Sequence, residues 1–168
     1  MFGRSRFTQF ITFLALLGPT LAASLYRYDT RSPEEVRAAG GIQSWNPDGA
    51  GTLLQHVTAP HEDDPWVSTT SDKALAKCGA KCPGTVYVYK IDPKGLKPVD
   101  TVKKLGDDHP HPGEKEFSIN GMVPWSNIIS VDEYKNGKRI STKTRAELET
   151  PPASPGHKRS IRGRSFTA

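Results

Sequence analysis

The sequence predicts an α+β fold in which strands dominate and the helices are short. A run of β-branched and aromatic residues, Thr85–Ile91, is typical of a strand. The pair Asn136-Gly137 lies between two further β-type runs and predicts a tight hairpin turn. Helix start signals stand out at two places, Ser32 and Ser71, and each precedes a short helical stretch, so the class is α+β.

The first elements are a strand and a capped helix. Residues 25–28 (LYRY) form a short β-type run. Ser32 can cap a helix, Pro33 suits the first turn, and Glu35 completes a capping box. Glycines at 40–41 end this helix.

The later elements follow from the same signals. A capping Ser71 predicts a second helix. The remaining predicted elements are a strand at 66–70, that helix at 72–77, a strand at 85–91, a candidate strand at 114–119 (EKEFSI) and a hairpin of 127–134 with 139–144.

Composition excludes several classes of protein. The 168 residues suffice for one domain with a tail. A mean hydropathy of −0.55 and 14 prolines argue against a polytopic membrane protein. The sequence has neither repeats nor heptads, which argues against solenoids and coiled coils. Two cysteines are too few for a disulfide-scaffold miniprotein or a four-cysteine zinc site.

Residues 1–23 read as a secretory signal peptide. Arg4 and Arg6 give a basic start, residues 10–17 (FITFLALL) form a short apolar core, and Ala22-Ala23 suits cleavage. We therefore expect a secreted, extracellular protein without a transmembrane segment after cleavage. An uncleaved anchor is the alternative.

Charge divides the rest of the chain. Residues 24–134 carry 12 Lys and Arg against 16 Asp and Glu, whereas residues 135–168 carry 9 against 2. The predicted domain is 24–145, followed by a disordered basic tail at 146–168. A solvated or processed tail is favoured over one that binds nucleic acid or an anionic membrane.

Two acidic residues lie close together in the candidate strand at 114–119. If that strand is regular, Glu114, Glu116 and Ser118 share one accessible face while Phe117 and Ile119 face the core. The two carboxylates would then lie about 7 Å apart. Taken alone, the two carboxylates are better explained by a solvated face, because an E-x-E tripeptide is very common.

Arg27 and a hydroxyl run are the other candidate site residues. An arginine within a first strand forms a structural ion pair or grips an anion through its planar fork. Ser68, Thr69 and Thr70 are ordinary strand residues when taken alone. They become candidate site residues only when the order of the motifs along the chain is considered.

Four motifs in this order resemble the mono-ADP-ribosyltransferase toxins of the cholera toxin and heat-labile enterotoxin group, and secreted fungal proteins of that type. The motifs are residues 25–42 (LYRYDTRSPEEVRAAGGI), 66–71 (WVSTTS), 109–116 (HPHPGEKE) and 121–129 (GMVPWSNII). The resemblance implies an ADP-ribosyltransferase-like fold, with two small packed antiparallel sheets and short helices around a cleft for NAD.

The resemblance also assigns roles residue by residue. Glu116 matches the catalytic glutamate, and Glu114 matches the glutamate associated with an arginine acceptor. The NAD-binding positions are Arg27, Tyr28, Asp29, Ser68, Thr69, Thr70 and His56. His56 is placed on the loop before the second strand, and His61 is the rival candidate.

The chain departs from that pattern in three places. Thr70 replaces a serine, and residues 41–66 form a shortened stretch. The tail lacks an equivalent of the long helix that docks a B pentamer, so no B subunit is expected. NAD is implied as a substrate, and no metal is implied.

Cys78 and Cys82 flank a short loop. In a secreted protein these two residues are predicted to form a disulfide.

The sequence thus predicts a secreted, toxin-like enzyme that transfers ADP-ribose from NAD to an arginine of a host protein. Alternatives are a catalytically weak effector that binds a host protein, an NAD glycohydrolase and a secreted two-carboxylate glycosidase. Nucleic acid is not favoured as a partner.

Overall fold

The computed structural model describes residues 23–59, 61–79 and 83–150. The described residues form nine strands: β1 (Leu25–Asp29), β2 (Gly41–Gln43), β3 (Trp66–Thr70), β4 (Thr85–Ile91), β5 (Val99–Asp100), β6 (Glu116–Asn120), β7 (Met122–Pro124), β8 (Ile128–Lys135) and β9 (Lys138–Thr144). The same part of the chain contains five α-helices: α1 (Pro33–Ala38), α2 (Leu53–Thr58), α3 (Lys73–Gly79), α4 (Thr101–Leu105) and α5 (Arg145–Glu149). Short 3₁₀ turns span Gly106–Asp108, Pro112–Glu114 and Trp125–Asn127.

The strands form two antiparallel sheets. Seven strands lie in the order β5-β6-β3-β1-β4-β8-β9, and β2 pairs with β7 in a second sheet. The larger sheet is joined at its centre by a single residue pair, Tyr26↔Thr70, between β1 and β3. It therefore consists of a three-stranded and a four-stranded half that part along one line. The predicted α+β class and antiparallel sheets are confirmed.

The core holds the two sheets together. Buried side chains from β1, α1, β2, β3, β4, β6, β7 and β8 form one cluster: Leu25, Val36, Ile42, Val67, Tyr89, Ile91, Ile119, Val123, Ile128 and Val131. On the other face of β4, Val86 and Val88 pack with Ala76 of α3 and Tyr134 of β8. Because β4 is covered on both faces, aliphatic and aromatic residues occupy five of its seven positions.

Several local predictions agree with the structure. Ser32 caps α1 in a complete capping box with Glu35. Asn136 and Gly137 both have positive φ, 49° and 77°, and connect β8 to β9. Positive φ at both positions is the requirement of a type I′ hairpin turn.

One helix cap and one domain boundary differ from the prediction. Helix α3 begins after Asp72, whose carboxylate accepts from the amide of Ala74 at 2.8 Å, so Asp72 and not Ser71 provides the cap. Helix α5 spans Arg145–Glu149, so the chain is helical over the first residues of the predicted disordered tail. Thr144 caps it in a capping box with Glu147, and Leu148 packs against the main core.

Three predictions concern residues that lie outside the part of the chain that the structure describes. Residues 1–22 of the expected signal peptide, residues 151–168 of the expected tail, and Cys82 are not described. The side chain of Cys78 is not described either, so the predicted disulfide stays a prediction. None of the helices in the described part of the chain has the length and hydropathy needed to cross a membrane.

Candidate active site

The candidate site lies where β1 and β3 part. Beyond the pair Tyr26↔Thr70 the two strands exchange no further ladder pairs. The guanidinium of Arg27 crosses the gap, and its Nη1 donates to the carbonyl oxygen of Ser68 at 2.8 Å. A partly buried carbonyl at an unpaired strand edge gains from a donor, so this arginine satisfies the open edge of β3 and links the two halves of the sheet.

Asp29 fixes the cationic side of the site. Its carboxylate accepts from Arg31 Nε at 3.0 Å and Nη2 at 2.6 Å, and lies 3.6 Å from Arg27 Nε. Burial would raise the pKa of Asp29, but the hydrogen bonds from Arg31 and the charge of Arg27 hold it below its ordinary value. Burial lowers the pKa of Arg27 below its ordinary value, yet an arginine remains cationic in a protein.

Glu116 is the acidic centre of the site. It is only 5% exposed, and its Oε1 accepts from Ser118 Oγ and from His56 Nε2, each at 3.1 Å. Burial would raise the pKa of this carboxyl, but hydrogen bonds from His56, Ser68 and Ser118 hold it below its ordinary value. Glu116 is therefore an ionised carboxylate in a largely buried position, not the solvated residue that a surface strand face would give.

His56 lies between two buried carboxylates. Its Nδ1 lies 2.7 Å from Asp64 Oδ2, and its Nε2 faces Glu116. Carboxylates can only accept, so both ring nitrogens must carry a hydrogen for both bonds to form, and the ring is then an imidazolium. Burial lowers the pKa of His56, but the bonds and charges of Glu116 and Asp64 raise it above 6.5.

Helix α2 places His56, which corrects the expected loop position. Thr52 caps this helix in a capping box with Gln55, and the helix then directs His56 toward β6. The rival His61 lies apart, beside the loop at Gly51, and its Nε2 has no hydrogen-bond partner among the described residues. Of the two histidines, His56 is the one that contacts Glu116 and lines the candidate site.

Glu114 is not on the strand with Glu116. It ends a 3₁₀ turn, and Lys115 follows in the left-handed conformation with φ 49°, so β6 begins only at Glu116. The predicted regular strand at 114–119 is therefore wrong at its start, because the backbone reverses at Lys115. Glu114 is exposed and still lines the same cleft as Glu116.

The three hydroxyl side chains of residues 68–70 contact different partners. Ser68 contributes to holding Glu116 ionised. Thr69 Oγ1 instead donates to the carbonyl oxygen of Phe117, so this hydroxyl does not orient Glu116. Thr70 Oγ1 donates to the carbonyl oxygen of Glu114 at 2.9 Å, so the residue that replaces a serine holds the loop before β6.

The cleft has two lobes of about 590 and 530 Å³, a size typical of small-molecule sites. Both lobes are lined by Arg27, Asp29, Thr30, Ser68, Glu114 and Glu116. The first lobe adds Tyr26, Tyr28, Thr69, Thr70, Leu75 and Ala76. The second adds Arg31, Gln43, Ser44, Trp45, His56, Val57, Asp64 and Trp66.

All nine residues that the sequence assigned to catalysis or NAD binding line this cleft: Arg27, Tyr28, Asp29, His56, Ser68, Thr69, Thr70, Glu114 and Glu116. Sequence reasoning missed Asp64, Arg31 and the 74%-exposed Trp45, and it placed Ser118 on the face of Glu116 without giving it a role. Asp64 is one of three successive acidic residues, and nothing in the sequence distinguishes it from the other two. Ser118 lies two positions from Glu116 on a strand, which is a usable signal.

Comparison with known proteins agrees with this geometry. The family model described as Scabin-like matches residues 25–148. The chain is 33% identical over 135 residues to the NAD(+)--arginine ADP-ribosyltransferase Chelt of Vibrio cholerae, covering 68% of this chain and 22% of that protein. It is 32% identical over 142 residues to the heat-labile enterotoxin A chain of Escherichia coli, covering 71% of this chain and 53% of that one. The chain thus spans between about a fifth and about half of the length of these curated relatives.

Solved structures show the same fold. The Scabin toxin from Streptomyces scabies in complex with NADH has a TM-score of 0.62 at 26% identity, covering 77% of each chain. A guanine-specific ADP-ribosyltransferase has a TM-score of 0.62 at 25% identity, covering 74% of this chain and 76% of that one.

Proposed function

The chain belongs to the Scabin-like family, and on that basis we propose that it is a secreted NAD-dependent mono-ADP-ribosyltransferase that acts on an arginine side chain of a target protein. The observation that carries the proposal is the convergence of Arg27, Ser68 and Glu116 on one cleft. Relatives named as ADP-ribosyltransferases and a related toxin in complex with NADH support a dinucleotide as the ligand.

The cleft is suited to a dinucleotide. Its two lobes meet at Arg27, Asp29 and Ser68, so each lobe can take one half of NAD while the pyrophosphate lies at their junction. Arg27 provides the cation there. Its position is set by Ser68 and Asp29 before the ligand arrives, which reduces the entropy lost on binding.

Glu116 would stabilise the reacting sugar. When the bond between ribose and nicotinamide breaks, nicotinamide leaves with the electron pair as a neutral molecule, and positive charge develops on the ribose. Oε1 of Glu116 is occupied by His56 and Ser118. The carboxylate is thus held in one orientation with its charge intact. A fixed charge of this kind typically contributes 10²–10³ in rate, as an order of magnitude.

Glu114 would serve the acceptor. A guanidinium nitrogen attacks the ribose carbon, forms the new carbon–nitrogen bond and loses a proton to a carboxylate. Glu114 is exposed at the cleft and held by Thr70 through its own carbonyl oxygen, so its side chain remains available. Water in place of the acceptor gives NAD hydrolysis.

A guanine base is the second candidate acceptor. A structural neighbour is named as guanine-specific, so this fold also accommodates a nucleobase. The carboxylate at Glu114 favours arginine, because it both attracts the cation and accepts its proton. A non-enzymatic effector would leave the ionised, oriented Glu116 without a role.

The test uses the purified protein with NAD labelled in its adenine half. Parallel reactions contain agmatine, guanosine or neither. We expect label on agmatine and free nicotinamide. Glu114→Gln should lower transfer to agmatine while nicotinamide release in the absence of an acceptor persists. Label on guanosine alone would overturn the arginine assignment. Nicotinamide release with no labelled acceptor would favour a glycohydrolase, and no release at all would favour the non-enzymatic effector.

A further inference from the structure

A buried histidine outside the proposed chemistry lies directly behind it. His109 is 5% exposed and precedes the loop that carries Glu114. Its Nδ1 accepts from the backbone amide of His111 at 3.0 Å. An amide can only donate, so Nδ1 carries no proton, and the hydrogen of the neutral ring is on Nε2.

The Nε2 hydrogen of His109 is donated to a buried threonine. It faces Thr101 Oγ1 at 2.7 Å, and Thr101 is fully buried at the start of α4. Because that hydroxyl accepts from His109, its own hydrogen is free to donate to the carbonyl oxygen of Glu116 at 3.1 Å. One tautomer of His109 therefore satisfies every group in this buried chain.

The far end of the loop is attached elsewhere. The amide of Ser71 donates to the carbonyl oxygen of Lys115, and Lys115 Nζ pairs with Asp72 at 3.0 Å. Thr70 holds the carbonyl oxygen of Glu114. These contacts tie the loop's end to β3 and α3, while His109 ties its beginning to α4 and β6. Residues 110–115 between the two attachments are exposed.

We propose that His109 is a positioning residue, which in its Nε2–H form fixes the loop of Glu114 and so controls transfer to the acceptor separately from cleavage of NAD. This inference rests on the proposed function for its catalytic consequence. Its structural part stands independently, because the hydrogen bonds alone define the tautomer and the attachment.

Two substitutions separate the two ring nitrogens. His109→Gln retains a donor where Nε2–H lies and removes the acceptor at Nδ1, and His109→Asn does the reverse. We expect His109→Gln to lower the ratio of agmatine transfer to NAD hydrolysis by about three- to tenfold, the equivalent of one hydrogen bond. It should raise KM for agmatine and leave KM for NAD unchanged. His109→Asn should keep the ratio within about twofold.

The matched control is His111→Ala. The side chain of His111 is exposed and only its backbone amide contacts His109, so this variant should keep the wild-type ratio. A general loss of stability would lower transfer and hydrolysis together in every variant. Equal ratios in wild type, His109→Gln and His109→Asn would overturn the catalytic role.

A measurement without turnover distinguishes failure of this inference from failure of the proposed function. Long-range ¹H–¹⁵N NMR spectra of the imidazole should show Nε2 protonated and Nδ1 unprotonated. Amide hydrogen exchange at His111 and Glu114 should accelerate in His109→Gln and not in His111→Ala. A proton on Nδ1, or unchanged exchange, would refute the attachment even in an active enzyme. A wild-type protein that releases no nicotinamide would refute the proposed function and leave the attachment to be decided by these spectra.

Discussion

Replacing Asp64 with asparagine should weaken the fold in a pH-dependent way. Asp64 is 2% exposed and lies 2.7 Å from Nδ1 of His56, which in turn faces Glu116 at 3.1 Å. Asparagine keeps the shape and one acceptor oxygen but removes the charge. A hydrogen bond to a charged group contributes about 1.5–3 kcal/mol, so we expect Asp64→Asn to lower the free energy of unfolding by about that amount while His56 is protonated.

The sign follows from the direction of each pKa shift. His56 has a raised pKa in the folded state, so its stabilisation is fully present below the unfolded value near 6.5 and disappears as pH rises through the folded value. Glu116 has a lowered pKa, so its contribution is present above the unfolded value near 4.5 and disappears as pH falls through the folded value. Both contributions are present together between these two unfolded values.

Urea unfolding at pH 5.5 and pH 9 measures the effect. With a slope of about 1–3 kcal/mol/M, the midpoint of Asp64→Asn at pH 5.5 should lie about 1 M below wild type. At pH 9, above the unfolded pKa of His56, the stabilisation that comes from its raised pKa is smaller, so the difference in free energy of unfolding between the two proteins should shrink. An equal difference at both pH values would refute the claim that Asp64 stabilises an imidazolium.

Three further substitutions test other parts of the structure. Arg27→Lys should lower nicotinamide release from NAD by about 10- to 100-fold, because the ammonium of lysine cannot contact both the strand edge and a phosphate as a planar guanidinium does. An unchanged KM for NAD would contradict this role of Arg27. Gly51→Ala places a Cβ 2.3 Å from a ring carbon of His61, so urea unfolding should show a free energy of unfolding lower by about 1–3 kcal/mol. In the control Gly113→Ala the added Cβ meets nothing within 4 Å, so the free energy of unfolding should change by less than about 0.5 kcal/mol. Asn136→Ala forces alanine to a φ of 49° and should lower the free energy of unfolding by about 1–2 kcal/mol, and a stability equal to wild type would disprove strain at this turn.

Strong local signals predicted the elements that carry them. The hairpin at Asn136-Gly137, the strand Thr85–Ile91 and the capping box at Ser32 are all present as expected. Two further capping boxes, at Thr52 and Thr144, were overlooked although their sequences show the same spacing. Recognising the first would have placed His56 on a helix, and recognising the second would have extended the domain past residue 145.

Other features of the site arise from tertiary contacts that a linear pattern does not record. Lys115 adopts a left-handed conformation, which sets Glu114 apart from the strand, although its residue type gives no warning. Asp64 acquires its role only because α2 brings His56 between two carboxylates. The single pair between β1 and β3 opens the cleft, and no property of either strand alone predicts where they part.

Nicotinamide release from NAD by wild-type protein and by Glu116→Gln tests the central claim most directly. The substitution removes one charge at near-constant volume, and His56 retains Asp64 as a partner, so the fold should survive. We expect the wild type to release nicotinamide and the variant to do so about 10²–10³-fold more slowly. A wild-type protein without activity, or a Glu116→Gln variant as fast as wild type, would contradict the account.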